Sequence, residues 1–102
     1  MKKIINGRTY NMSTAIRVAD YDECLSRSDF GFRREVLYQK RNGEFFLYGE
    51  GGASTRWAQP ISGNGWREGY GIVPLSRKGA LNWASEHSDV ETVERIFGEV
   101  SE

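Results

Sequence analysis

Apolar and aromatic residues are concentrated in two short runs in the middle of this chain, Val36-Leu-Tyr38 and Phe45-Phe-Leu-Tyr48. These runs predict β-strands over residues 32–40 and 44–48. In the second strand, Phe45 and Phe46 fall on opposite faces, and each is followed two positions later by another apolar or aromatic residue. This pattern indicates a central strand that is covered on both sides, or a strand with one face kept for a partner.

Asn-Gly pairs at 6–7 and 42–43 predict tight turns between strands, because such turns need the positive φ angles that Asn and Gly tolerate best. The first pair would join short strands at 2–5 and 8–10, and the second would join the two strands of the middle region. A two-stranded hairpin is marginal by itself. The first hairpin is therefore expected to pack on the rest of the domain.

Apolar residues at helical spacing predict a first helix over 14–25, with Asn11 or Ser13 as its N-cap. Cys24 would be a core residue on this helix. The apolar positions of the helix are Ala15, Ile16, Val18, Ala19 and Leu25.

Two more helices are predicted towards the C-terminal end. Ser76 would cap a helix over 77–87, whose apolar side is formed by Ala80, Leu81, Trp83 and Ala84. The sequence Ser88-Asp-Val-Glu91 matches a capping box, and Gly98 matches a C-cap, so a last helix lies between them. Its inward positions would be Val90, Val93, Ile96 and Phe97.

Seven of the twelve glycines lie in residues 49–71, which predicts a loop-rich region with one strand near 56–59. The run Gly49-Glu-Gly-Gly52 is interpreted as a turn, because neither a helix start nor Gly-Lys-Ser/Thr follows it. Residues 72–75 would form an edge strand, since Pro74 cannot donate a hydrogen bond. The whole pattern predicts one domain, 1–102, of the α+β class: a small antiparallel sheet built from hairpins, with two or three helices packed on one face.

The total charge of the chain is balanced, but residues 86–102 are strongly acidic. Lysine plus arginine and aspartate plus glutamate are equal at 14 each, which argues against a general nucleic-acid coat and against imitation of DNA over the whole surface. Residues 86–102, however, contain one arginine and six carboxylates. This acidic stretch is either a solvated helix face or a contact for a basic groove on another protein. Its carboxylates are Glu86, Asp89, Glu91, Glu94, Glu99 and Glu102.

Candidate chemistry is sparse. Cys24 and His87 are the single cysteine and the single histidine, so no internal disulfide and no tetrahedral metal site of the usual ligands can form. A Cys–His catalytic pair lacks a marked orienting group and oxyanion site, and a core role for Cys24 is favoured. We expect no enzyme activity, no cofactor and no metal. The N-terminal apolar run is too short for a signal peptide, and no stretch is long enough to span a membrane, which favours the cytoplasm and no membrane partner.

The aromatic residues allow two interpretations. With nearby arginines they could stack on single-stranded nucleic acid, or they could fill the core of so small a domain; the core is favoured for most of them. Trp66, between Gly65 and Arg67, is expected to be exposed. Trp57, Trp66 and Arg67 thus form one candidate partner-binding surface, and the acidic helix with Glu91, Glu94 and Glu99 forms the other. The aromatic set is Phe45, Phe46, Tyr48, Trp57, Trp66 and Tyr70, with Arg41, Arg56 and Arg67 nearby.

Five segments together resemble a family of small proteins from plasmids, conjugative elements and prophages of Gram-positive bacteria, which includes or adjoins anti-CRISPR inhibitors of Cas9. They lie at Lys3–Tyr10, Glu35–Tyr38, Gly43–Gly52, Pro74–Ser76 and Ile96–Val100. The resemblance covers nearly the whole chain and carries no catalytic motif.

The resemblance implies a protein that binds a CRISPR effector, with Cas9 as the leading candidate, in the cytoplasm of a bacterial host. It implies a monomer or a homodimer, and it is compatible with an additional contact to guide RNA or DNA. The balanced charge departs from the strongly acidic inhibitors that imitate DNA. An accessory protein of a mobile element that binds nucleic acid through its basic and aromatic residues is the alternative. A third option is an enzyme that modifies guide RNA or a Cas protein.

Overall fold

The computed structural model describes residues 1–23 and 30–98. An antiparallel four-stranded sheet forms the centre of the molecule, and two smaller two-stranded sheets and two helices surround it. The described part therefore has the predicted α+β architecture. The elements in chain order are β1 (Lys2–Ile5), β2 (Arg8–Asn11), β3 (Ile16–Asp22), β4 (Arg33–Gln39), β5 (Phe45–Gly51), β6 (Gln59–Pro60), β7 (Trp66–Arg67), β8 (Gly69–Leu75), α1 (Arg77–His87) and α2 (Val90–Phe97).

The central sheet has the strand order β3-β4-β5-β8, and the pairs β1-β2 and β6-β7 form the small sheets. The first Asn-Gly turn is confirmed, with φ angles of 51° at Asn6 and 77° at Gly7. In the second turn only Gly43 has a positive φ, 93°, and its backbone N–H donates to Lys40 O at 2.9 Å. Both turns fix the strand registers that follow them.

Both faces of the central sheet are covered, which is one of the two interpretations that the pattern in β5 allowed. The helices cover one face and the β1-β2 hairpin covers part of the other. Buried residues of the helix side are Leu37, Phe45, Leu47, Trp57, Ala80, Trp83, Ala84 and Val93. Buried residues of the hairpin side are Tyr10, Val36, Tyr38, Phe46 and Ile72.

The predicted helix over 14–25 is wrong within the described residues, because Ile16–Asp22 is the edge strand β3. A bulge explains the error: Arg17 pairs with Tyr38 and Ala19 pairs with Leu37, so Val18 is an extra residue. Positions 18, 19 and 21 all pack on the helix-side core, a spacing that resembles a helix. Cys24 and Leu25 lie outside the described residues.

The local capping signal at Asn11 is nevertheless real. The Ser13 backbone N–H donates to Asn11 Oδ1 at 2.9 Å, and the Ala15 N–H donates to Asn11 O at 3.1 Å. The resulting single turn leads directly into a strand instead of a helix. Tertiary pairing with β4 therefore overrides the local preference.

Helix α1 matches the predicted range, and the Ser76 side chain accepts from Gly79 N as its N-cap. The N-cap of α2 is Asp89, whose carboxylate accepts from Thr92 N at 2.8 Å, so the predicted cap at Ser88 is wrong by one residue. Ser88 ends α1 instead. None of the described helices has the length and apolar character needed to cross a membrane.

Other differences concern exposure and short strands. Val90 was expected to face inward, but it is 72% exposed because it starts α2 one turn before the buried Val93. Strand β6 is only Gln59–Pro60, and it pairs with Trp66–Arg67, a segment expected to be loop. Strand β8 begins before the predicted residue 72, and it is an edge strand, as Pro74 indicated.

Candidate interaction surfaces

A buried carboxylate organises the interior beside the candidate surfaces. Glu35 on β4 is only 1% exposed. Its Oε2 accepts the Trp57 indole N–H at 2.7 Å, and its Oε1 accepts the Trp83 indole N–H at 2.8 Å. The two indoles supply the donors that a buried carboxylate needs. Glu35 thereby ties α1 and the segment after β5 to the same point of the sheet.

Four glycines provide the space that Trp57 and its neighbours occupy. On β5 and β8, Gly49 pairs with Gly71 and Gly51 pairs with Gly69, and together they form a glycine patch without side chains. A Cβ at Gly49 would lie 1.9 Å from the Trp57 indole, a distance at which the indole must move. Gly49 and Gly51 therefore lie within β5 and serve internal packing, so the turn predicted over 49–52 is wrong for these two residues.

Trp57 is consequently a core residue, 5% exposed, and it does not contribute to a partner-binding surface in this conformation. Its indole N–H is used by Glu35 and its ring lies on the glycine patch. Arg56, which precedes it, is exposed, with its guanidinium 4.9 Å from the Trp57 ring centre. The sequence predicted exposure for Trp66 but gave no signal that Trp57 is buried, since both lie beside an arginine in a glycine-rich region.

The predicted acidic surface is formed by the end of α1 and by α2. Glu91 and Glu94 are both exposed and lie three residues apart, so they occupy neighbouring positions on α2. Glu86 and Asp89 are exposed beside them. Glu99 lies outside the described residues. Asp89 is engaged as the N-cap, and the hydrogen bonds from Thr92 hold the pKa of its carboxyl below the ordinary value.

Cations flank this acidic surface. A groove of 460 Å³ between β3 and the junction of the helices is lined by Arg17 and Arg95, and by the side of His87. Arg17 forms an ion pair with Asp20. Arg95 donates to the carbonyl oxygen of Val18 at 3.4 Å, which fixes α2 against the edge strand. On its β3 side the acidic surface therefore borders a groove of mixed charge, since Asp20 and Asp89 line it together with these cations.

A second cleft, of 670 Å³, opens at the other end of the sheet, between the β1-β2 hairpin and the β6-β7 ribbon. We call it the ribbon cleft. Tyr70, at 62% exposed, lies in its wall as the cross-strand partner of Glu50. The polar and charged groups that line it are Lys3, Glu50, Gln59, Arg67, Glu68 and Tyr70.

The structure separates Trp66 from Arg67, although they are consecutive. Gln59 pairs with Arg67, and both line the ribbon cleft. Trp66 pairs with Pro60, and neither of these two lines the cleft. Since successive side chains of a strand point to opposite faces, Trp66 belongs to the outer side of the ribbon. Trp66 is 61% exposed, as expected from the sequence.

The remaining aromatic candidates divide between core and surface. Phe45 and Phe46 are buried, and Tyr48 is half-buried on the hairpin side. The Tyr48 hydroxyl donates to Glu50 at 3.0 Å. Burial, followed by this hydrogen bond to a carboxylate, raises the pKa of Tyr48 to about 12.

His87 lies at the end of α1, where its ring packs against two aromatic side chains. Its ring lies 4.3 Å from the Tyr21 ring centre and 5.1 Å from that of Trp83. Cys24, for which a core role was favoured over a catalytic pair with His87, lies outside the described residues. Within residues 1–23 and 30–98, no group of three or more His, Cys, Asp or Glu side chains could hold a metal ion.

Comparison with known proteins gives no match for this chain to a family model, to a curated protein or to a solved structure.

Proposed function

We propose that this protein is a non-enzymatic inhibitor that binds a CRISPR effector, Cas9 first, and blocks it sterically or by holding one conformation. The structural observation that supports the proposal is the exposed acidic surface of α1 and α2, with Glu86, Asp89, Glu91 and Glu94. The resemblance of five segments to anti-CRISPR proteins supports it from the sequence. Action as a monomer or homodimer in the bacterial cytoplasm belongs to the same proposal.

The acidic surface suits a basic groove, because effectors that hold nucleic acid line their channels with positive charge. Charges at the rim of an interface mainly raise the rate of association, and salt screens them. Inhibition through this surface should therefore weaken as the salt concentration rises. Glu91 and Glu94 are the appropriate residues to change, since neither caps a helix nor packs in the core.

The test measures DNA cleavage by purified Cas9 of several types with and without the protein. Suppression of cleavage is expected, and the double variant Glu91→Lys, Glu94→Lys should inhibit less, most clearly at low salt. Glu68→Lys, an exposed charge reversal next to β8, is the matched control and should inhibit like the wild type. Unchanged cleavage with every Cas9 and with other CRISPR effectors would refute the proposal. A covalent change of Cas9 or guide RNA, seen by mass spectrometry, would point to an enzyme.

A second candidate function is nucleic-acid binding as an accessory protein of a mobile element. The specific observation in its favour is that Trp66 and Tyr70 are 61% and 62% exposed, with Arg67 between them in sequence. Exposed aromatic rings stack with unpaired bases, and arginines contact phosphates. Gel-shift assays with single- and double-stranded DNA and RNA at low salt test this function. A salt-dependent shift supports it, whereas no shift together with a stable Cas9 complex supports the first.

A further inference from the structure

We infer that the ribbon cleft holds one unpaired nucleobase of a single-stranded nucleic acid, stacked on Tyr70, with flanking phosphates at Lys3 and Arg67. The inference rests on the second proposed function, nucleic-acid binding, and it assigns that function to a place. It also moves the site away from Trp66, the aromatic residue that the sequence singled out.

The position of Tyr70 is the first argument. Tyr70 is the second residue of the edge strand β8 and lies on the hairpin side of the sheet. The β1-β2 hairpin covers later residues of β8 on this side but leaves the Tyr70 ring exposed. Ile72, two residues later on the same face, is 5% exposed. A large ring in a strand, uncovered and at the wall of a cleft, offers a stacking surface that does not need a rearrangement.

Hydrogen-bonding groups of both kinds line the cleft. The carboxylate of Glu50, held by the Tyr48 hydroxyl at 3.0 Å, is an acceptor for the amino groups of bases. The side chain of Gln59 lies beside Gly69 at the border of the cleft, with its Nε2 donating to Trp57 O at 3.5 Å, and its amide oxygen can accept a hydrogen bond. These groups match the polar edge of a nucleobase, and the cleft volume of 670 Å³ falls within the usual range for small-molecule sites.

Cations lie on two sides of the cleft. Lys3 belongs to the hairpin and Arg67 belongs to the ribbon, so a strand that crosses the cleft would pass one positive side chain before the base and one after it. Glu50 and Glu68 offset these charges. The cleft is therefore poor at binding a polyanion by charge alone, which favours a single strand with an exposed base over a duplex.

The stacking residue is tested with labelled eight-nucleotide DNA and RNA strands, by fluorescence anisotropy at low salt. Tyr70→Ala should weaken binding about fivefold or more, as expected for loss of one stacked base, while Tyr70→Phe should bind like the wild type. Trp66→Ala is the matched control, because it removes an equally exposed ring outside the cleft. Circular dichroism checks that each variant is folded.

Salt dependence tests the phosphate contacts. With two contacts, the logarithm of affinity should fall with the logarithm of salt with a slope of about −1.4, and Arg67→Ala should reduce the slope by about 0.7. Arg56→Ala, which removes an exposed arginine outside the cleft, should leave the slope unchanged.

Each result decides a separate question. If strands bind but Tyr70→Ala and Arg67→Ala have no effect, or if Trp66→Ala has the larger effect, the ribbon cleft is the wrong site although the nucleic-acid function stands. If no single strand binds at low salt, both the function and the site are refuted. A duplex that displaces the bound single strand at equal concentration also contradicts the inference.

Discussion

The two ends of the helix-side face are filled in opposite ways. At one end, Leu37, Leu47 and Phe45 project from the strands and meet Ala80 and Trp83. At the other end the strands carry the glycine patch, and Trp57 fills the space from above. At the first end, side chains of the sheet pack against side chains of α1. At the second end, the strands contribute no side chains, and the Trp57 ring alone fills the space.

The two ends should differ in how much a substitution lowers the free energy of unfolding. An apolar core of several side chains can adjust to a changed shape when its volume is conserved. The glycine patch has no side chain that could move, and the Trp57 indole edge that lies over Gly49 is fixed by its hydrogen bond to Glu35. We therefore expect small changes to be more damaging at the glycine patch than at the apolar end.

The largest expected loss of stability comes from the addition of one methyl group at Gly49. Gly49→Ala should destabilise the protein by about 3–5 kcal/mol, since it combines overpacking with loss of a buried hydrogen bond. Gly71→Ala is the matched control on the neighbouring strand, because its Cβ would lie 3.9 Å from the Trp57 ring, an ordinary contact. Urea unfolding measures both. Equal free energies of unfolding for the two variants would contradict the role given to Trp57.

Removal of the Glu35 carboxylate should cause the next largest loss of stability. Glu35→Ala leaves two buried indole N–H groups without an acceptor and should cost about 2–4 kcal/mol. Glu35→Gln keeps one acceptor oxygen and should cost less. Tryptophan fluorescence during urea unfolding measures both variants and reports the indoles directly. A fully stable Glu35→Ala protein would show that the carboxylate does not hold them.

The apolar end should respond weakly to a change that conserves volume. Leu47→Met, at a fully buried position, should cost less than about 1.5 kcal/mol. Thermal unfolding followed by circular dichroism is the measurement. A cost equal to that of Gly49→Ala would remove the distinction between the two ends of the face.

The last prediction concerns the hairpin side of the same sheet, where the effect is absent at neutral pH and develops only at high pH. Because the pKa of Tyr48 is raised to about 12, the unfolded chain loses this proton near pH 10 while the folded protein keeps it. The contribution of the group is complete below pH 10 and is lost as pH rises towards 12. Tyr48→Phe should therefore lose less stability than the wild type over this interval. Carbon-13 NMR of labelled tyrosine checks the titration midpoint.

Local sequence signals predicted a large part of the fold. Helix α1 and the Asn6–Gly7 turn depend on neighbouring residues, and these predictions are confirmed. The apolar run of β5 left two interpretations open, and the structure has the one in which both faces of the strand are covered. Strand β3 was missed because its bulge at Val18 breaks the alternation. A bulge is visible only against the partner strand, so residues 16–22 alone could not reveal it.

The candidate surfaces were predicted less completely. Exposure of Glu91, Glu94 and Trp66 followed from local composition and is seen in the structure. The wall of the ribbon cleft was not foreseen, since Lys3 lies far in sequence from the residues around Tyr70. Only the pairing of strands brings these distant groups to one place.

Trp57 and Trp66 show what the sequence by itself determined and what it did not. The sequence determined that two tryptophans lie beside arginines in a region rich in glycine. The tertiary structure decided that one is 5% exposed and the other 61% exposed. The physical reason is that distant residues provide a buried site for Trp57 only. Its indole N–H donates to Glu35, 22 residues away in sequence, and its ring fills a space formed by glycines of two strands. Trp66 instead pairs with Pro60 in a short ribbon at the surface.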